Sequence, residues 1–427
     1  MYNVRAMQQD EFRLELKIEA TDYGYMVRAR TSGYYPDSAP FEFTVTRREL
    51  TDLHNAMRAA CASDAFRLAL MQELVQDWGG RLFDAVFRDD VLERYRIAKR
   101  EADAAGRELR VQLDLTDMEE LAVFPWEFLY DRGRQEYVGL AAGTLFTRYA
   151  SFMHQLRPPQ RSGPLRVLVV IPSPEGHAEI DVQRSWLGLL DQVDHLAREQ
   201  KLVVEWLQKP TLFDLRQQLR SNEYHVLHYM GHSMVCAETG EGQLVFEDEM
   251  GRGRAVGGEH LGSLLRDHFS MRLVLITGGV SAGRAHGRTV GSSYGVLDVA
   301  GMLVKRSMGA VLATPFNMPS DESSRYLSQF YSELADTMPV DRAAVRARIA
   351  LRDRSIWWGA PILYSRAPTG NLFGEFKTEL EQLTDDAVDN IAFRLSALRI
   401  RTATPEAMAR WNDELTESRL RRRIERD

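Results

Sequence analysis

The spacing of apolar positions changes character twice along the chain. Over residues 12–20, Leu14, Leu16 and Ile18 alternate with Arg13, Glu15, Lys17 and Glu19. That period of two predicts a strand with one buried face. Tyr25–Thr31 and Phe41–Val45 read the same way, punctuated by Gly33, Pro36 and Pro40, so a small antiparallel sheet is expected. From Leu50 to about Ala105 the spacing becomes i, i+3, i+4, as in Met71, Leu74 and Trp78, and predicts helices. Arg107–Leu115 returns to alternation. A stretch rich in Pro, Gly and Arg, residues 156–164, reads as a linker. Beyond it, continuous apolar runs (165–171, 202–207, 224–230, 272–277, 310–316, 361–365) take turns with helical segments (182–200, 212–220, 259–268, 297–308, 320–336, 340–353). Gln243–Phe246 and Gly253–Gly257 read as a hairpin insert with a polar turn between them. Runs that are apolar throughout belong to strands buried on both faces, so the expected fold is α/β, with a mostly parallel sheet flanked by helices. The organisation expected is a mixed α+β region over 1–155, an α/β domain over 165–370, and a helical tail over 371–427. The tail's basic end, from Arg419 to Arg426, is read as a solvated helix terminus.

Composition narrows this picture only a little. The 427 residues suffice for two or three domains. A formal net charge of −7 gives no global attraction to nucleic acid, and direct binding of nucleic acid is not expected. Only Cys61 and Cys236 are present, which excludes a disulfide framework or a cysteine-rich zinc site. No apolar run suggests a signal peptide or a membrane span, and a cytoplasmic protein is expected.

Candidate chemistry lies at two strand ends. Tyr224–Met230 closes on Gly231-His232-Ser233, and Arg272–Thr277 closes on Gly278-Gly279-Val280-Ser281. In open α/β sheets, chemistry collects at the carboxyl ends of strands. His232 supplies an imidazole, and its place in a loop predicts a presented ring. Other polar residues read more simply. Glu127, inside Phe124-Pro125-Trp126-Glu127-Phe128, is expected to pair locally in a buried plug. His228 is expected to be structural, and Cys236 a small loop residue. The glycine-rich segment 278–289 falls one residue short of a Walker A loop and carries Arg288 where that loop has lysine, so a nucleotide site is not expected. No metal-ligand set is visible, and no cofactor is expected.

In order, the segments Pro125-Trp126-Glu127-Phe128-Leu129, Leu165-Arg166-Val167-Leu168, His225–His232, Leu273–Ile276, Ala300-Gly301, Val340–Ala343 and Trp357–Tyr364 resemble the CHAT domain, a branch of the caspase and separase clan of cysteine peptidases. The resemblance covers about residues 80–370. It implies a caspase-like fold, with His232 as general acid or base. It also implies a nucleophilic cysteine at the end of the second strand, in an Asn/Ser-Ala/Gly-Cys pattern. Here that triplet is Thr277-Gly278-Gly279, so Gly279 occupies the nucleophile position, 47 residues after His232. The amides of Gly231 and Gly279 are the implied oxyanion donors. Asp248, Glu247, Asp298 and Ser281 are candidates for the substrate pocket. The resemblance implies a protein or peptide substrate and an activating protein partner. Without its thiol the chain reads either as an inactivated peptidase or natural pseudo-peptidase, or as a non-catalytic partner-binding protein in a bacterial defence or signalling complex.

Overall fold

The computed structural model describes residues 12–22, 24–31, 36–59, 65–151, 158–159, 161–278, 293–315, 318–374 and 376–377. The chain divides into a unit spanning Met1–Glu375 and a second spanning Phe376–Asp427. In the second, the described residues are the short strand Phe376–Lys377, so the expected tail helices lie outside the described residues.

The first unit is built on an eleven-stranded sheet. Its strands are β1 (Phe12–Thr21), β2 (Gly24–Thr31), β3 (Asp37–Phe41), β4 (Leu109–Asp114), β5 (Thr144–Tyr149), β6 (Leu165–Val170), β7 (Leu202–Trp206) and β8 (Val226–Met230). A separate three-stranded sheet holds β9 (Ser233–Val235), β10 (Gly242–Glu247) and β11 (Gly253–Gly257). The large sheet resumes with β12 (Leu273–Thr277), β13 (Ala310–Ala313) and β14 (Ile362–Ser365). Its order is β7-β6-β8-β12-β13-β14-β5-β4-β1-β2-β3. The pairings β13–β14, β1–β2 and β2–β3 are antiparallel, and the others are parallel. The sheet is therefore mostly parallel and flanked by helices, as the alternating pattern requires.

Two details differ from the sequence expectations. The N-terminal strands do not form a small sheet of their own. β1 pairs in parallel with β4, from Phe12 opposite Leu109 to Lys17 opposite Asp114, which merges them into the large sheet. The 156–164 segment thus lies between two strands of one sheet. The third strand also runs over 37–41 rather than 41–45, with Pro40 inside it. β3 is an edge strand, the place in a sheet where proline is tolerated.

Among the described residues the helices of eight residues or more are α1 (Arg47–Ala59), α2 (Ala65–Val86), α3 (Asp89–Ala104), α4 (Val182–Arg198), α5 (Leu212–Ser221), α6 (Gly258–Leu265), α7 (Ser293–Arg306), α8 (Ser320–Ala335) and α9 (Val340–Arg352). They fall into two layers because successive strand residues point to opposite faces. Val167, Val169, Leu273, Leu275 and Leu312 share one core with α4, α8 and α9. Leu168, Val170, Val274, Ile276 and Val311 share the other with α5, α6 and α7.

The aromatic plug contains the buried pair expected of Glu127. Its carboxylate, fully enclosed, receives Arg148 Nε at 3.0 Å and Nη2 at 2.8 Å. Arg148 also donates to the carbonyls of Phe124 and Ala122 and to Tyr364 Oη. Burial opposes the guanidinium charge, but Glu127 outweighs it and raises the Arg148 pKa. The pair ties the loop after β4 to β5 and β14.

Candidate active site

β6, β8 and β12 are adjacent and parallel, so the loops that follow them emerge at one edge of the sheet. The described residues of these loops are 172–181, 231–232 and Gly278. The ends of β8 and β12 are in direct contact. Gly231 N donates to Thr277 O at 3.2 Å. A Cβ on Gly278 would lie 2.6 Å from Gly231 O and 2.7 Å from Gly231 N. Gly278 has φ +136°, a conformation that side-chain-bearing residues rarely adopt. Gly231 is equally confined, since a Cβ there would meet the Tyr229 ring at 2.6 Å and Pro172 Cγ at 2.8 Å. Gly278 is thus explained by close approach of the strand ends, and Gly231 by the Tyr229 ring and Pro172.

His232 follows Gly231 and is only 3 % exposed, which corrects the expectation of a presented ring. The loop after β6 folds over it. His232 Nε2 lies 2.6 Å from Ala178 O. A carbonyl accepts only, so Nε2 carries the proton, and in the neutral ring Nδ1 holds the lone pair. His177 stacks on the same imidazole, with ring centroids 5.7 Å apart and an interplanar angle of 24°. The His232 backbone is held as firmly: its carbonyl accepts from Tyr229 Oη at 2.8 Å and from Val245 N at 3.0 Å.

The covering loop is itself anchored to the hairpin insert. Ser173 N donates to Glu247 Oε1 at 2.8 Å, and Glu175 N to Gly251 O at 2.9 Å. A Cβ on Gly253 would lie 2.6 Å from His177 Cε1. Ala178 and His177 escaped the sequence reading. The available signal was a histidine in a Pro- and Gly-bearing loop directly after an apolar strand, but the adjacency of β6 to β8 is not written in chain order.

The other candidates sort by what they touch. Gly279 and Ser281 lie outside the described residues. The Gly231 amide, expected as an oxyanion donor, donates here to the sheet. Asp248 accepts from Met250 N at 2.8 Å and from Arg252 N at 2.9 Å, and pairs with Arg252 Nε at 3.1 Å. Backbone hydrogen bonding from Arg252 leads the effects that hold its pKa low, so this carboxylate organises its own turn. Glu247 holds the covering loop. Asp298, on α7, accepts from Gly242 N at 2.6 Å. That bond accompanies a close backbone approach, since a Cβ on Gly242 would lie 2.0 Å from Gly295 O. Cys236 sits in the β9–β10 turn, its thiol pKa lowered chiefly by the Thr239 side chain and then by backbone amides.

His228 and Thr277 belong to the core. His228 Nε2 is 2.8 Å from Thr277 Oγ1, and its Nδ1 is 3.0 Å from Tyr331 Oη. Complete burial pushes the His228 pKa down to about 3, so the ring is neutral. The Thr277 hydroxyl is therefore turned to His228. No cluster of three or more metal-ligating side chains occurs among the described residues.

The sequence matches the family model for the CHAT domain over residues 76–366, more than half of the chain. The chain belongs to the CHAT-domain family. Its fold is similar to that of separase in the separase–securin complex of Saccharomyces cerevisiae, with 10 % identity over 84 % of this chain and a TM-score of 0.45. A second structure of that complex gives 9 % identity over 85 % of this chain and a TM-score of 0.46. It is also similar to the Arg-specific cysteine proteinase gingipain R, at 9 % identity over 70 % of this chain and 76 % of that one, with a TM-score of 0.37. This CHAT-domain chain spans about 30 % of the separase chain. Among curated proteins no sequence match is found. No helix among the described residues is long and apolar enough to cross a membrane.

Proposed function

We propose that this chain carries the framework of a CHAT-family cysteine endopeptidase whose nucleophile position, 279, is occupied by glycine, so that it does not cleave peptide bonds as it stands. The observation that carries the reading is the contact between Gly231 and Gly278, with His232 oriented by Ala178 O. Residue 279 is one peptide step of about 3.8 Å beyond Gly278. In this reading a thiol at that position would have the His232 imidazole as its proton acceptor. In a cleavage cycle the thiol proton passes to His232 as the sulfur attacks the carbonyl carbon, His232 gives it to the amine as the C–N bond breaks, and water then hydrolyses the thioester to release the acid and restore the thiol. The amide of residue 279 is the remaining oxyanion candidate. The Gly231 amide joins it only if it leaves Thr277 O.

The test is proteolysis by Gly279→Cys beside the unaltered chain, with candidate partner proteins and new N-termini read by mass spectrometry. Cleavage by the variant alone, reduced about 10²–10⁴-fold by His232→Ala, is expected. A correctly folded Gly279→Cys chain that cleaves nothing its partners present would sink the reading. The glycine itself supports a second reading, a non-catalytic protein that binds a peptide in the emptied cleft and regulates a bacterial defence or signalling complex. In that case partner binding survives without cleavage.

A further inference from the structure

The eleven-stranded sheet has two edges, and they are built differently. At one, β3 carries Asp37 and Pro40, and proline has no N–H to donate to a further strand. Proline and charge are common means of closing a sheet edge to pairing. At the other, β7 reads Leu202-Val203-Val204-Glu205-Trp206, without proline, lysine or bulge. Its one charged side chain is engaged within the fold, because Glu205 accepts from Arg166 Nη2 and Tyr224 Oη at 2.6 Å each.

The hydrogen-bond phase of β7 shows which groups it offers. Lys201 O accepts from Leu165 N, and Leu207 N donates to Val169 O, both at 2.9 Å. In a parallel ladder, alternate residues turn both N–H and C=O to the same neighbour. Val203 and Glu205 therefore bond to β6, while Leu202, Val204 and Trp206 turn their backbone groups away from the sheet.

Beside this edge runs an apolar ledge on α4. Leu189, Val193 and Leu196 face the core, and Gln192 and His195 reach Ser324 and Ser332 of α8. By helical spacing, Trp186, Leu187 and Leu190 lie on the side away from α8. Trp186 packs against Trp206 with ring centroids 5.8 Å apart, and Leu187 is 50 % exposed. Asp194, on the same side, is paired with Arg198.

We propose that β7 is the interface of a homodimer, in which the edge strands of two copies pair antiparallel about a two-fold axis at Val204. A second copy is the occupant this edge selects, because the edge is self-complementary. About that axis Val204 pairs with Val204 of the second copy, and Leu202 with Trp206 of the second copy. Each outward N–H and C=O of the strand then meets a partner, and no like charges within the strand stand opposite one another. The same two-fold lays the two α4 helices side by side on one face of the joined sheet, with Leu187 and Leu190 between them. A strand from another protein would bond to the edge but leave this ledge in water. Because the pairing is antiparallel, the two candidate active sites lie at opposite edges of the joined sheet.

The test uses the full chain and does not depend on the peptidase reading. Sedimentation velocity over a dilution series should show a dimer that dissociates on dilution. Deuterium uptake by residues 202–207 should be slow in the dimer and fast in the monomer. Val204→Pro removes an outward N–H without breaking a bond to β6, and should raise the dimer dissociation constant about a hundredfold with little change in melting temperature. Leu187→Asp, on the exposed ledge, should raise it about tenfold and carries the test if Val204→Pro does not fold. A parent chain still monomeric at about 100 µM, with 202–207 exchanging fast, overturns the proposal and leaves the edge to a strand of another protein. A dimer that neither variant weakens, or whose formation leaves uptake at 202–207 unchanged, uses another surface and overturns it as well.

Discussion

Replacing Gly278 by alanine tests whether the site is built on contact between two strand ends. Two costs arise. Holding an L residue at φ +136° stores about 1–3 kcal/mol of backbone strain. The new Cβ would also lie 2.6 Å and 2.7 Å from backbone atoms of Gly231, closer than real Cβ contacts. Gly231 cannot retreat easily, because Pro172 and the Tyr229 ring stand behind it. Relieving such overpacking typically costs another ~1–3 kcal/mol. The expected loss is therefore about 2–6 kcal/mol, and it should fall on the Gly231–Thr277 rung. Gly240→Ala is the control: its φ is +77°, but a Cβ there meets nothing within 4 Å. Only left-handed strain of about 1–2 kcal/mol applies to it. Urea denaturation of both variants gives the difference, and hydrogen exchange at Gly231 locates it. If the two variants lose the same stability within about 0.5 kcal/mol, the strand ends are not in the contact described.

Three further outcomes follow from particular contacts. Glu127→Gln leaves Arg148 buried without a counter-charge and should cost about 3–5 kcal/mol in denaturant melts, while Glu127→Leu combined with Arg148→Met should recover much of that loss. His228 contributes through its depressed pKa of about 3. Its neutral native form is favoured above the unfolded value near 6.5, and that stability is lost as pH falls from there towards 3. By pH 4.5 the loss should reach about 2–3 kcal/mol, so His228→Gln, compared with the parent at pH 7 and pH 4.5, should show a shallower acid decline; equal declines would remove His228 as the cause. In the Gly279→Cys background, Glu247→Ala should lower kcat more than it raises KM, because it frees the Ser173 amide and loosens the loop that orients His232; a change in KM alone would assign Glu247 to substrate contact.

Much of the fold was legible because its signals are local. Alternation in β1, continuous apolar runs in β6, β8 and β12, and helical spacing in α2 each follow from the burial of one element's faces. The local polar roles of Glu127 and His228 were legible too, since a charge or imidazole inside an apolar run must find a partner. That His232 directly follows a buried strand was legible as well, from the apolar run before it. What the sequence could not supply was adjacency. Strand order is a tertiary outcome, and only the placement of β6 beside β8 brings Ala178 and His177 onto His232. The same holds for β1, whose alternation is compatible with a small separate sheet until its pairing with β4 is known. Burial of the His232 ring and capture of the Gly231 amide by Thr277 both arise between segments distant in the chain. Hydrophobic period reports which face of an element is buried, and the tertiary structure alone decides against what.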